Sequence, residues 1–491
     1  MTHVLMALVV TSLVAQEAPR TLTLDEAVDL ARRNNPDFLS TWNDQSSADW
    51  RVREAYGAFL PSVSANVGGG YRAKGEVRVG TITLDNQVTD WVSSNYGVGF
   101  NWHLDGATIF GVSNAKASRN ATEAEIDAAG FNLESMVAAR YLAVLRAQDG
   151  MEVTERQLER ARQNFQIVST RVSAGAAAGT DRTQAEVDLG RADVEVIRAE
   201  RALRQARLLL GEQLGVPLEE DAVLVSEFPV FEPAFRLDEL LDAAMADHPS
   251  LHAYREREQA SRAQARATAS SQYLPSLTVN AGISAYTQQA LNDQYVLGSL
   301  ESSVQSRVSS CEFDNMLHNG LNGGIPGYTL RDCSAIQVTP TQQALALAQN
   351  DRFPWDFTRN PFQVGLTISL PIFTGFSREL EVSQANNLAH DAELSRRAEE
   401  LRLRTQVTNR FDELESAYRV AQAEARNQEL AETRLQLEQR RYALGASDLL
   451  LLLDAETSLS LAEQSSLNAI YDFHYNLILL EAAVGRPLRP S

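Results

Sequence analysis

The chain has 491 residues, and 44 lysine and arginine side chains against 64 aspartate and glutamate side chains give a formal net charge of −20. Hydrophobic residues make up 44% and charged residues 22%, which excludes a disordered chain. The acidic balance excludes nucleic acid as a partner, because phosphate recognition needs an excess of lysine and arginine. No apolar run of about 18 residues follows the N-terminal region, so the sequence predicts either a soluble protein or a transmembrane β-barrel.

Residues 1–15 are predicted to be a signal peptide. Val4–Val14 form a short apolar core, small Ala15 follows, and the next residues, Gln16 and Glu17, are polar. This order is typical of an export signal and its cleavage site. A buried N-terminal strand is the alternative interpretation.

An internal repeat organises the rest of the chain, and we place the first repeat at 22–217 and the second at 236–487. Matching residues lie 213 or 214 positions apart near the start of each repeat and 270 positions apart near the end. The recurring pairs include Leu24–Glu26 with Leu237–Glu239, Pro36 with Pro249, Leu60–Ser62 with Leu274–Ser276, Gly175 with Gly445, Ala185-Glu186 with Ala455-Glu456, and Gly215 with Gly485. Each repeat is predicted to run helix, strand, strand, long helix, helix.

Four segments alternate between apolar and small polar residues at period two. The first repeat carries two of them within 60–104, and the second carries them at 274–287 and 361–373. Strands with one apolar and one small polar face are typical of a barrel between lipid and water. A soluble β-sandwich also alternates, but four isolated strands in a helical chain favour the membrane interpretation.

The second repeat contains extra residues between its two strands. The offset between matching residues rises from 214 to 266, which predicts a loop insertion of 52 residues within 287–360. The insertion holds Cys311 and Cys333, the only cysteines of the chain. In an exported chain this pair suggests one disulfide, and two free thiols are the alternative.

The helical segments at 107–213 and 376–484 are unusually long. Apolar residues recur every seventh position, which is the spacing of a coiled coil; they are Val137, Val144, Met151, Leu158, Phe165 and Val172 in the first repeat, and Val407, Leu414, Ala421, Leu435 and Tyr442 in the second. At 1.5 Å per residue, a helix of about 66 residues spans about 100 Å. Gly175 and Gly445 are predicted to end the long helices and to form turns at the tip remote from the strands.

Two stretches carry a resemblance to a known family. RVSAGAAAGTDRTQAEVDL at Arg171–Leu189 and RYALGASDLLLLLDAETSL at Arg441–Leu459 resemble the paired tip turns of the TolC family of outer-membrane efflux proteins. The resemblance extends from Leu22 to about Pro490. It implies a mainly α fold with a small β part and a homotrimer. Four strands cannot close a barrel, whereas three chains would form a 12-stranded β-barrel continuous with a 12-helix α-barrel.

The resemblance also implies a function. The trimer would be the outer-membrane channel, or exit duct, of a tripartite efflux or type I secretion system in a Gram-negative cell. It would span outer-membrane lipid, extend into the periplasm and conduct passively what a periplasmic adaptor and an inner-membrane pump of the RND, ABC or MFS type deliver. No enzymatic activity, cofactor or metal site is predicted. A soluble periplasmic coiled-coil scaffold is the alternative function.

The resemblance further places a periplasmic gate at the tip. Asp181 and Tyr442 match positions whose hydrogen bond holds neighbouring tip hairpins closed. Asp454 matches a carboxylate ring facing the lumen, and Leu450 matches an apolar ring. Leu451 stands where some members carry a second acidic residue. Asp454 could alternatively be an ordinary solvated carboxylate. The alternative role of Asp181 is to compensate the positive charge at a helix N-terminus.

Adaptor docking is expected at the tip turns, on Gly175, Ala176, Ala177, Gly445 and Ala446. Small side chains there would permit close approach of another helix. The alternative is that glycine and alanine merely close a tight turn.

Overall fold

The structure is a computed structural model that describes residues 21–75, 77–79, 82–84, 89–218, 222–224, 229–322 and 324–488. The predicted signal peptide 1–15 lies outside the described residues. The chain forms two compact units. We name them the helical unit, which holds Phe110–Thr268, the chain before Glu54 and the chain from Ser377 on, and the sheet unit, which holds Glu54–Ile109 and Ala269–Phe376.

Helices account for most of the chain. The ten α-helices of the described residues are α1 (Leu24–Asn34), α2 (Pro36–Gly57), α3 (Gly106–Ser173), α4 (Gly179–Leu214), α5 (Leu237–Asp247), α6 (Pro249–Tyr273), α7 (Asp293–Gly320), α8 (Pro340–Asn350), α9 (Ser377–Ala443) and α10 (Leu449–Val484). The strands are β1 (Thr21–Leu22), β2 (Ser62–Arg72), β3 (Val77–Val79), β4 (Ile82–Leu84), β5 (Trp91–Leu104), β6 (Val223–Leu224), β7 (Ser276–Ala290), β8 (Thr358–Arg359) and β9 (Gln363–Ser369). None of the described helices is both long enough and apolar enough to cross a membrane.

The helical unit is built from two long helices and their shorter partners. α3 has 68 residues and α9 has 67, while α4 and α10 have 36 each. In α9, the apolar residues that recur every seventh position are all buried. In α3, Val137 and Val144 of the corresponding set are fully buried. Burial of one apolar stripe per helix is what a coiled-coil spacing requires.

One core of the helical unit lies where the chain enters the first repeat. Strand β1 pairs in parallel with β6, and Leu22 on β1 packs with Ala27, Ala31 and Tyr141. The Tyr141 hydroxyl donates to the backbone oxygen of Leu22 at 2.7 Å. A buried hydroxyl that finds a carbonyl partner avoids the cost of an unsatisfied polar group. The second repeat has its own core, in which Phe473 and Leu477 of α10 pack with Leu240, Val407 and Leu414.

The sheet unit holds an antiparallel sheet in the order β2-β5-β7-β9, with short β8 also paired to β7. The register puts the apolar residues of all four strands on one face. One row across the sheet is Ala65, Val98 and Ile283, and another is Trp102, Val279 and Leu366. β2 and β9 are the edge strands, and the side chains of both are mostly exposed.

The other face of the sheet carries glycine, asparagine and serine. Asn66 faces Gly97, and a Cβ atom on Gly97 would lie 2.8 Å from the Asn66 Oδ1 atom. The reverse arrangement occurs at Gly68, where a Cβ atom would lie 2.8 Å from the Asn95 Oδ1 atom. Across the next pair of strands, Asn101 Nδ2 donates to Asn280 Oδ1 at 2.6 Å. Each glycine therefore makes room for an amide side chain on the neighbouring strand.

The insertion is more ordered than the loop that its sequence predicts. It contains α7 and α8. In α7, Val304, Val308 and Cys311 follow a helical spacing, and Val304 and Cys311 are buried. Thr339 caps α8 with a capping box. Cys311 and Cys333 form a disulfide, with Cα atoms 5.8 Å apart.

Candidate functional site: the helix turns and the groove beside them

Two turns in the helical unit have the same geometry. The first joins α3 to α4 through Gly175, and the second joins α9 to α10 through Gly445. The two glycines have φ values of +74° and +72°. In the first turn Ala176 N–H donates to Arg171 O at 2.8 Å, and in the second Ala446 N–H donates to Arg441 O at 2.8 Å. This six-residue hydrogen bond with a left-handed glycine is the Schellman motif that ends many helices.

The predicted docking residues lie on the surface of these turns. Gly175, Ala176, Gly445 and Ala446 are exposed, and Ala177 is half-buried. A Cβ atom on either glycine would meet no other atom within 4 Å. The turns therefore leave space around their backbone, and only the positive φ angle demands glycine.

Beneath the turns, the first hairpin contacts the second through Tyr442. Tyr442 is only 4% exposed and packs in a cluster with Val168 of α3 and Leu449 of α10. The guanidinium of Arg171 lies 4.2 Å from the centre of the Tyr442 ring, and its Nη1 donates to the Tyr442 backbone oxygen at 2.6 Å. Arg171 thus ties α3 to the end of α9 by a cation–π contact and a charge-assisted hydrogen bond. Arg171 lies within the first turn motif, and nothing in the local sequence predicts this contact.

Asp181 and Tyr442 do not bond to each other within one chain. The Asp181 carboxylate accepts a hydrogen bond from Ala178 N–H at 3.2 Å, so it caps the first turn of its own helix. A carboxylate at this position also compensates the positive end of α4. The predicted Asp181–Tyr442 contact is therefore one that only a neighbouring chain or another state of the tip could form.

The second turn has a buried carboxylate of its own. Glu438 accepts from Arg441 Nη1 at 2.6 Å and from the Ser447 hydroxyl at 2.9 Å. Asp448 caps α10 by accepting from Leu451 N–H at 2.9 Å. These contacts join the end of α9 to the start of α10 across the turn. The sequence does not predict this role of Glu438, because nothing in the local sequence distinguishes it from the solvated glutamates of the same helix.

The predicted gate residues Leu450 and Asp454 lie on α10, one helical turn apart. Leu450 is 74% exposed in the single chain. The carboxylate of Asp454 forms a salt bridge with Arg434 of α9, and Arg434 also donates to the Ser458 hydroxyl at 3.1 Å. Arg434 thus places a positive charge beside Asp454, and no motif of the sequence predicts this cation.

A groove of about 840 Å³ lies beside these residues, between α3, α4 and α10. Leu450 and Asp454 line it together with Arg160, Asp188 and Glu456. Arg160 binds both carboxylate oxygens of Glu463, and both side chains are largely buried. Burial of Glu456 raises the pKa of its carboxyl group to about 7; Arg160 opposes this rise, and Asp188 adds to it.

The chain thus combines long paired helices that have matching turns with a small antiparallel sheet. The sequence matches the outer membrane efflux protein family over residues 27–216 and 340–486. The chain therefore belongs to this family of outer-membrane efflux channels.

Individual relatives agree with this assignment. The chain is 23% identical to nodulation protein T of Rhizobium leguminosarum bv. trifolii over 425 residues, which cover 85% of this chain and 75% of that protein. It is 26% identical to outer membrane protein TolC of Vibrio cholerae serotype O1 over 318 residues, covering 62% of this chain and 65% of that protein.

Solved structures share the fold at low sequence identity. The Campylobacter jejuni CmeC outer membrane channel has a TM-score of 0.69 at 15% identity, with 94% of this chain and 85% of that chain covered. The open state of the Neisseria gonorrhoeae MtrE outer membrane channel has a TM-score of 0.67 at 19% identity, with 94% and 89% covered. The mainly helical fold with a small sheet is thus that of TolC-like channels.

Proposed function

We propose that this protein is the passive exit duct of a tripartite efflux or type I secretion system. Three chains would place four strands each in a 12-stranded barrel in the outer membrane and continue it as a 12-helix periplasmic tunnel. The observation that carries the proposal is the sheet, which has two unpaired edge strands among the described residues and apolar side chains in register on one face. Strand edges left open in this way are satisfied when neighbouring chains close a barrel.

The domain assignment belongs to the same proposal. The two repeats, 22–217 and 236–487, would each contribute two barrel strands and one long helix pair to the trimer. The insertion would lie outside the cell, because it connects two barrel strands. The two hairpin turns would then face the inner membrane, where a pump resides.

The gate proposal uses the contacts beneath the turns. In each chain Arg171 holds the first hairpin against Tyr442 of the second, and Asp181 and Tyr442 would form a further bond where neighbouring hairpins meet. Hydrogen bonds to charged groups contribute about 1.5–3 kcal/mol each, which is enough to bias a two-state tip towards its closed form. Leu450 and Asp454 would form an apolar ring and a polar ring in the lumen.

The experiment is a conductance measurement on detergent-extracted protein in planar bilayers. Arg171→Ala removes the cation–π contact and the bond to the Tyr442 backbone, and it should raise single-channel conductance. Tyr442→Phe keeps the ring under Arg171 and removes only the hydroxyl, so it isolates the proposed bond to Asp181. Extraction without detergent, together with no conductance at all, would support the periplasmic scaffold instead. Unchanged conductance in both variants would overturn the gate assignment.

Adaptor docking at the turns has a separate test. Ala177→Trp and Ala446→Trp place a bulky side chain on each turn without adding to a buried core. Export in cells should be lost, while trimer amount and membrane insertion stay at wild-type levels. Export that survives both changes would move the adaptor contact away from Gly175, Ala176, Ala177, Gly445 and Ala446.

A further inference from the structure

The charged side chains of the groove between α3, α4 and α10 are almost all paired. On α3, Arg160 binds Glu463 of α10. On α4, the Asp188 carboxylate accepts from Gln184 Nε2 at 3.0 Å and from Arg191 Nη1 at 3.4 Å. The positive charge of Arg160 is therefore already balanced before any other carboxylate approaches it.

The remaining acidic side chains that line the groove are also paired with cations, with one exception. Glu195 of α4 binds Arg198 at 2.6 Å, and Asp454 of α10 binds Arg434 of α9. Glu456 of α10 differs from them, because its Oε1 atom is buried and has no hydrogen-bond partner among the described residues. A buried carboxylate oxygen without a partner is costly when it carries charge.

Two surroundings favour a proton on Glu456. Burial removes water from its carboxyl group, and Asp188 across the groove adds like-charge repulsion, while the attraction of Arg160 is weakened by Glu463. The pKa of Glu456 is raised to about 7, so the group changes charge near neutral pH. The equivalent residue of the first repeat, Glu186, is exposed.

We propose that Glu456 is a proton-sensitive contact between α10 and α4 that controls how readily the tip opens. The proton comes from solution and binds the Glu456 carboxylate. Protonation removes the like-charge repulsion between Glu456 and Asp188, which lets α10 and α4 lie close together and keeps Leu450 and Asp454 in the closed arrangement. Loss of the proton leaves two facing carboxylates, whose repulsion separates the helices and favours opening. The inference rests on the proposed channel function.

The test compares the pH dependence of conductance in planar bilayers. Wild-type channels should show low conductance at pH 6, high conductance at pH 8 and a midpoint near pH 7. Glu456→Gln cannot ionise and should hold the low value at every pH. Glu186→Gln is the matched control from the other repeat and should keep the wild-type profile. Asp188→Asn removes the facing charge that drives the helices apart and should strongly reduce the rise in conductance with pH.

A second measurement does not need a conducting channel. Infrared difference spectra between pH 6 and pH 8 should show the carbonyl band of a protonated carboxyl in wild-type protein and not in Glu456→Gln. Absence of that band from the wild type would overturn the inference even if the channel conducts. A pH-dependent conductance that survives Glu456→Gln would also overturn it. Wild-type protein that shows the band but no conductance would overturn the channel function instead.

Discussion

At the scale of single residues, Asp454 of the predicted carboxylate ring has a cation, Arg434, directly beside it. Asp454 and Arg434 form a salt bridge within one chain, so three chains would bring three positive charges to the same level as three negative ones. Both side chains are about half exposed, and the pair therefore adds little stability. In the proposed channel the pair would act on ions in the lumen, because the local field depends on the sum of both charges.

Ion selectivity should reveal this compensation. Arg434→Gln leaves Asp454 unpaired and should shift the reversal potential in a potassium chloride gradient towards cation selectivity. Asp454→Asn leaves Arg434 unpaired and should shift it towards anion selectivity. The two variants act as controls for each other, because they remove opposite charges from one contact. Shifts in the same direction, or none, would show that Asp454 does not face the lumen.

Another residue-scale prediction concerns His248, which is buried at the junction of α5 and α6. Its Nε2 atom donates to Ala482 O at 3.1 Å, and its Nδ1 atom accepts from Ser250 N–H at 3.1 Å. Burial lowers the pKa of His248, although the bond to Ala482 acts in the opposite direction. The folded state therefore prefers the neutral ring, whereas the unfolded chain takes up a proton below about pH 6.5.

The stability contributed by neutral His248 is thus present above about pH 6.5 and is lost as the pH falls from there towards the lower pKa of the folded state. The thermal unfolding midpoint of the wild type should drop between pH 7 and pH 5. His248→Gln should drop less over that range, because glutamine keeps a donor for Ala482 and does not titrate. His252→Gln, at an exposed position one turn later, should drop as much as the wild type. Equal drops in all three proteins would contradict this role.

At the scale of elements, each repeat packs the end of one helix against the junction of two shorter helices, α1 and α2 in the first repeat and α5 and α6 in the second. In the first repeat α4 ends at Gly215, which lies against the backbone of Asn34, and Asn35 Nδ2 donates to Gln213 O at 2.9 Å. In the second, α10 ends at Gly485, and a Cβ atom there would lie 3.0 Å from the His248 Cα atom. Both glycines have a positive φ angle. This packing therefore needs glycine for its conformation and for its space.

A pair of substitutions separates these two demands. Gly215→Ala would place a Cβ atom 2.3 Å from Asn34 O, in a left-handed conformation, and should prevent accumulation of folded protein. Gly175→Ala has the same conformational strain and open space around it, so it should cost only about 1–2 kcal/mol. Folded yield and the thermal unfolding midpoint measure both. Equal losses would mean that the contact with Asn34 relaxes easily.

Local sequence patterns predict some of these elements and contacts but not others. The sevenfold spacing and the alternation of apolar and small polar residues are local patterns, and they correspond to helices and strands of the structure. The contacts of Arg171 with Tyr442 and of Arg434 with Asp454 join residues that are distant along the chain or lie on facing helices, and no spacing rule predicts them. The sequence does not predict α7 for another reason, because this serine-rich helix has a buried face of only a few residues.

At the scale of the whole molecule, the family match and the insertion divide the chain. The matched ranges, 27–216 and 340–486, hold α3, α4, α9 and α10, which form the turns and the groove. The stretch between them holds α5, α6, β7, α7 and the disulfide, and α8 of the insertion begins at the first residue of the second matched range. No described residue of the insertion belongs to the hydrophobic cores around α3, α4, α9 and α10.

Removal of the insertion tests this independence. Asn350 forms two hydrogen bonds with the last residue of β7: its Oδ1 atom accepts from Ala290 N–H at 2.8 Å and its Nδ2 atom donates to Ala290 O at 2.9 Å. A deletion of residues 293–346, closed by a short glycine-serine linker, keeps both residues of this pair and removes α7 with both cysteines. The shortened chain should still give a detergent-extracted trimer with wild-type conductance, because β2, β5, β7 and β9 pair with one another without α7 or α8. Asn350→Ala in the full-length chain is the control, and it should only expose the insertion to protease. Loss of the trimer on deletion, with the trimer of Asn350→Ala intact, would show that the insertion is itself part of the assembly.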